Sequence, residues 1–190
     1  QPLGVAPRTD AGAGNHLGDA FACEFTHLDL GPFIASCGTM RMKLPEAMLL
    51  AFNEAEAAAA RGEVPVGAVV TDRKGAIIAS AGNRTIEMKD PTAHAEMLAI
   101  RAAARSLDSE RLGDCDFYVT LEPCAMFAAA ISFARIRRLY FAASDEKMGA
   151  VDHGPRLFSQ ATCHHKPDVY GGIGEERARI LLREFFNARR

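Results

Sequence analysis

Two short strings carry residue types suited to hydrolytic metal chemistry: His94-Ala95-Glu96 and, thirty residues later, Pro123-Cys124. Each is weak alone, because a lone helical histidine is more often a satisfied core residue than a ligand. Their contexts match, since both strings stand at the start of a predicted helix. On a regular helix the side chains of His94 and Glu96 point roughly 200° apart, so a site beside the helix could use only one of them; a site off its N-terminal end could use both. Two helix N-termini can converge on one point, where free N–H groups and positive dipole ends favour a thiolate and a metal-bound hydroxide. An imidazole nitrogen, a thiolate and a non-ligating carboxylate are the parts of a hydrolytic zinc centre.

The elements that would position these strings follow from apolar spacing. Leu44, Met48, Ala51, Phe52, Ala55 and Ala59 recur at helical intervals and Gly62 follows, so a first helix is predicted to end near Arg61. The apolar runs 64–71 and 76–81 flank Asp72-Arg73-Lys74-Gly75 and predict a hairpin. Asp90-Pro91 has the form of an N-cap and first helical position, which predicts a helix from there through His94 to about Leu107. Strands are predicted over 117–121 and 139–143, with a helix over 124–134 between them and a terminal helix over 174–190. This order of elements predicts an α/β layered sheet with helices on both faces.

Composition bounds what such a chain can be. With 190 residues, 48% hydrophobic and 24% charged, it is long enough for one core and too apolar to be disordered. The most apolar stretch, 131–143, is broken by Arg135, Arg137 and Arg138, so no membrane span is expected. A net charge of −2 gives no global attraction to nucleic acid. Contact with phosphates would have to come from local clusters, for which Arg135, Arg137, Arg138, Arg189 and Arg190 are the candidates. Five irregularly spaced cysteines suit a reducing compartment, the cytoplasm, better than a disulfide framework. Residues 1–39 show no lasting period and no signal- or transit-peptide pattern, so residues 1–42 are expected to form a loose extension, with Met40 or Met42 a candidate native start and 43–190 the folded domain.

The two strings together, with Pro91-Thr92-Ala93 before the first, Thr120-Leu121-Glu122 before the second, Val64-Pro65-Val66-Gly67-Ala68, Gly82-Asn83-Arg84 and 145–150, resemble the bacterial tRNA-specific adenosine deaminases. These belong to the zinc nucleobase deaminases. The resemblance runs from about Leu44 to Arg190 and implies a three-layer α/β/α cytidine-deaminase-like fold with a central mixed sheet. It also implies hydrolysis of adenosine to inosine in a tRNA anticodon loop, one zinc per chain held by His94 and Cys124, Glu96 as the proton-transfer carboxylate, and a homodimer. Asn83 is implied to bind the extruded purine, with Asp145 and Lys147 beside the RNA. Two other readings stand next to this one: a non-catalytic RNA-binding or dimer-partner protein, and a deaminase of free guanine or cytosine.

One position departs from the pattern. The family has a second cysteine three residues after the first, one helical turn on, and here that residue is Phe127. A phenyl ring cannot coordinate a metal, and two protein ligands are one fewer than a catalytic zinc normally has. With Ala130, Ile131 and Ala134, Phe127 fits a helical core stripe. Cys115 is too far back along its strand to replace the missing thiolate, up to roughly 30 Å by strand rise. The loop carrying Cys163, His164 and His165 remains as a possible source of a third ligand.

Overall fold

The structure is a computed structural model that describes residues 43–189; the proposed extension over 1–42 and the candidate Arg190 lie outside the described residues. The described residues form five helices and five strands in the order α1 (Glu46–Ala60), β1 (Gly67–Thr71), β2 (Ile77–Gly82), α2 (Thr85–Met88), α3 (Ala95–Ser106), β3 (Asp116–Leu121), α4 (Ala125–Ala134), β4 (Arg138–Ala143), β5 (Asp168–Tyr170) and α5 (Glu175–Asn187). A single 3-10 turn, Leu157–Ser159, lies between β4 and β5. The strands form one sheet in the order β2-β1-β3-β4-β5. β1 runs antiparallel to both β2 and β3, while β3, β4 and β5 are parallel, so the sheet is mixed as expected.

Alternation along the strands divides the interior into two cores. Ala68, Val70, Phe117, Val119, Leu139 and Phe141 face the layer that holds α3 and α4. Val69, Tyr118, Tyr140 and Ala142 face the layer that holds α1, with Ala178 of α5 in the same cluster. α3 can lie close to the sheet because its buried face is Ala95, Ala99 and Ala103, small residues at four-residue spacing. α1 approaches β1 so closely that a Cβ on Gly67 would collide with the Ala51 carbonyl. On the α1 face, register places Tyr118, Tyr140 and Tyr170 side by side on neighbouring strands. Their rings stack at 4.6 and 4.9 Å between centroids.

Several sequence expectations need correction. The helix expected from Asp90-Pro91 starts at Ala95, because Asp90 caps a turn instead: its Oδ1 accepts from both the N–H and the hydroxyl of Thr92. Asp90-Pro91 thus makes a turn that ends about one helical turn before α3. β1 begins at Gly67 rather than Val64, and α2, the 3-10 turn and β5 are elements the sequence did not reveal. Each of those three is four residues or shorter, too short to show a period.

Candidate active site

Both chemistry-bearing strings end up at helix N-caps. His94 is the N-cap of α3, with φ −66° and ψ 149°, and Cys124 is the N-cap of α4, with φ −71° and ψ 171°. Pro123 disfavours helical backbone for the residue before it, so β3 stays extended up to the point where α4 must begin. The two caps converge: Cys124 Sγ lies 3.9 Å from His94 Nδ1. Zinc bonds of about 2.0 Å to nitrogen and 2.3 Å to sulfur place two tetrahedral ligand atoms about 3.5 Å apart, so this pair is spaced to share one metal.

Glu96, in the first turn of α3, is buried, and its Oε2 has no hydrogen-bond partner. Burial pushes its carboxyl above the usual range, opposed by its own backbone N–H and by His94. Burial also pushes the Cys124 thiol up. The amide N–H groups of Phe127 and Met126 act against that, and the Glu96 charge adds to it. Both shifts favour the neutral form, of the carboxyl and of the thiol alike.

His94, Glu96 and Cys124 line a cavity of about 490 Å³ together with Asn83, Asp145 and Met148. The Asn83 amide donates to Glu63 Oε2 at 3.5 Å and to Thr85 Oγ1 at 3.4 Å, rather than folding back onto its own backbone as a turn asparagine would. Lys147 stands outside this cavity. It lines an adjoining one of about 760 Å³ with Arg179, Leu182, Phe186 and Arg189, and Val64, Leu121, Asp145 and Met148 are common to both.

The third donor is missing from the described residues, none of which form a group of three or more His, Cys, Asp or Glu able to hold a metal. Phe127 is fully buried, and its ring packs on Phe117 of β3 with centroids 4.9 Å apart. The loop considered as a source of a replacement is engaged elsewhere. Cys163 Sγ contacts Ser132 Oγ and donates to the His165 carbonyl, His165 Nε2 donates to the Ile136 carbonyl, and His164 lies against Phe133. Ser132 is eight residues beyond Cys124 on α4, about 12 Å along the helix axis. Cys115 is buried just before β3, at the far end of the strand from Cys124. The spacing of His94 and Cys124 thus fits a zinc ion, while the donor set is too small to complete a catalytic zinc site.

Among the basic residues, Arg137 is committed to structure: its Nε and Nη2 donate to the two oxygens of the buried Asp116 at 2.9 and 2.7 Å. That corrects its place among the phosphate-binding candidates. Arg138 lies 3.7 Å from Asp168, and Arg135 closes α4 in a left-handed conformation with φ 58°.

Two buried carboxylates escaped the sequence reading. Glu63 accepts from the N–H groups of Ile86 and Glu87 and from the Thr85 hydroxyl. Burial pushes its pKa up, but the Glu87, Thr85 and Ile86 donors outweigh that and hold it below the usual carboxylate range. Glu122 accepts from the loop that follows β4. A charged residue in an apolar stretch was the only available signal, and it does not say which distant backbone the carboxylate will meet.

Residues 42–143 match the family model for the cytidine and deoxycytidylate deaminase zinc-binding region. The tRNA-specific adenosine deaminase of Agrobacterium fabrum is 57% identical over 143 residues, covering 75% of this chain and 93% of the relative. The chain belongs to the tRNA-specific adenosine deaminase family. The family's enzyme from Rickettsia bellii is 47% identical over 137 residues, covering 72% of this chain and 94% of that one. A solved structure from work on A-to-I editing by tRNA:A34 deaminases at the wobble position of transfer RNA is 57% identical, with a TM-score of 0.70 over 72% of this chain and 98% of that one. Guanine deaminase from Nitrosomonas europaea shares the fold at 25% identity and a TM-score of 0.64, over 90% of this chain and 98% of that one.

Proposed function

We propose that this protein acts on adenosine in a tRNA anticodon loop, hydrolysing the exocyclic amine to give inosine at the wobble position, with turnover limited by how weakly His94 and Cys124 retain zinc. The observation that carries the proposal is the cavity in which the unpartnered Glu96 Oε2 stands beside the His94–Cys124 pair. A carboxyl biased toward protonation by burial can give a proton to a ring nitrogen and recover one from water, then pass it to the departing amine. The Asn83 amide, held by Glu63 and Thr85, offers hydrogen bonds to the edge of an extruded purine. Extrusion costs a few kcal/mol and is cheapest in a loop, which favours an anticodon over a duplex. Lys147, Arg179 and Arg189 in the adjoining cavity can meet the flanking backbone, with Asp145 between the two cavities. His94 and Cys124 would be the residues to hold a zinc ion, whose chemistry there would be the activation of a water, and two donors are one too few for it.

The same reading puts the protein in the cytoplasm as a homodimer. Cys115, Cys124 and Cys163 are all free thiols, which suits a reducing compartment. The buried Phe127 favours a second reading, a non-catalytic RNA-binding or dimer-partner protein that kept the pocket. Incubation with zinc and a tRNA carrying a wobble adenosine, followed by nucleoside analysis, separates these readings. Inosine at that position supports the deaminase. RNA binding without inosine supports the second reading. Release of ammonia from free guanine or cytosine, with neither inosine nor RNA binding, would overturn both.

A further inference from the structure

Glu122 is a buried carboxylate that the proposed chemistry does not use. Its side chain is 0% exposed, and no arginine or lysine among the described residues pairs with it. Its charge is met by the backbone of one loop. Oε1 accepts from the N–H groups of Val151 at 3.2 Å, Asp152 at 2.9 Å and His153 at 3.0 Å, and Oε2 accepts from the N–H of Asp145 at 2.9 Å. His153 Nδ1–H adds a fifth donor to Oε2 at 2.7 Å. The loop closes so tightly around this anion that a Cβ on Gly149 would lie 2.5 Å from Glu122 Cδ. Two more ties join the loop to the segment after Glu122: the Ala150 N–H donates to the Pro123 carbonyl at 2.9 Å, and Cys124 and Gly149 form an isolated antiparallel bridge.

The loop held in this way supplies Asp145 and Met148 to the cavity. Nothing else described fixes the Asp145 N–H, and the Asp145 side chain in turn caps the N–H groups of Lys147 and Met148 at 3.0 and 3.1 Å. The position of both lining residues therefore depends on the Glu122 carboxylate. We propose that Glu122 is a positioning residue for base recognition, holding Asp145 and Met148 in place as a wall of the cavity through its bonds to the backbone of 145–153. This rests on the reading above that the cavity accepts an RNA base.

Glu122→Gln tests it with minimal change in volume. One amide oxygen can still accept from the 151–153 amides, but the NH2 group then faces the Asp145 N–H, donor against donor. Two measurements follow. Hydrogen exchange at the Asp145 amide should accelerate by about tenfold or more, consistent with the loss of one charge-assisted bond, while core amides of β3 and β4 exchange as in the parent. Binding should be measured to anticodon stem-loop RNA with adenosine at the wobble position and to the same RNA with an abasic residue there. The parent should prefer adenosine, and in the variant the ratio of the two affinities should fall most of the way to one, whatever the loosening of Lys147 on the same loop takes from both. A purely structural role would weaken both RNAs together. A parent that binds the two equally overturns the base-binding reading and this proposal with it. A discriminating parent whose variant discriminates equally well overturns this proposal alone. If Glu122→Gln does not fold, Gly149→Ala drives a methyl group between the same carboxylate and the Asp145 carbonyl, displacing the same segment, and should give the same pattern; retained discrimination there overturns the proposal.

Discussion

His94 Nδ1 and Cys124 Sγ face each other across 3.9 Å, each at the N-cap of its helix, so two backbone features hold them rather than a shared loop. The pair is preformed, and what it lacks is a third donor. Phe127→Cys would place that donor one helical turn from Cys124. Purified Phe127→Cys should carry close to one zinc per chain after dialysis, where the parent carries well under one, as read by elemental analysis. Losing the buried ring should cost the metal-free variant about 2 to 4 kcal/mol, visible as a lower Tm in chelator, and zinc should recover it. Full zinc occupancy in the parent would contradict this.

Adding Glu96→Gln to Phe127→Cys separates metal binding from proton transfer. The double variant should keep its zinc and lose inosine formation by about a hundredfold or more, the usual contribution of a positioned general acid or base. Unchanged turnover would remove Glu96 from the reaction.

Glu63 gives a pH-dependent contribution to stability. Its folded pKa lies below the usual value of 4.5, so its stabilisation is present above that value and is lost as pH falls through the folded pKa. Glu63→Gln should therefore lower stability at pH 7 by about 1.5 to 3 kcal/mol, the range for hydrogen bonds to a buried charge. Denaturant unfolding of parent and variant should show the gap narrowing steadily below about pH 4. A gap that does not change with pH would show that the carboxylate charge has no part in holding α2.

Arg137 and Lys147 should behave in opposite ways. Arg137→Gln breaks a two-pronged bond to the buried Asp116 and should lower Tm while leaving the RNA affinity of the folded protein unchanged. Lys147→Ala should leave Tm nearly unchanged, weaken RNA binding and reduce the salt slope by about 0.7 to 0.9 per lost phosphate contact. Filter binding across a salt series alongside thermal melts would show a reversed outcome directly.

The parts of this molecule that were legible in its sequence are those that repeat or that sit in short fixed strings. The period of α1, the apolar runs of β1 and β3 and the start of α4 at Cys124 could all be read, because each depends on residues a few positions apart, whereas the cap of α3 at His94 was masked by the turn signal of Asp90-Pro91. Glu63 meets α2 across more than twenty residues and Glu122 meets Val151 across twenty-nine, contacts that exist only once the sheet has brought distant segments together. Arg137 illustrates the same limit from the other side. It stands in a basic run that suggested an exposed patch, and the partner that neutralises it, Asp116, lies one strand away.

The stack of Tyr118, Tyr140 and Tyr170 has a practical consequence. These are the only tyrosines in a chain that has no tryptophan, so all of its tyrosine emission arises from one column across β3, β4 and β5. Intrinsic fluorescence follows the fate of that part of the sheet and is blind to α3, to α4 and to the loop wrapped around Glu122. A melt recorded by tyrosine fluorescence would then report the parallel half of the sheet, and agreement with a calorimetric melt would show that the pocket and the tyrosine column come apart together.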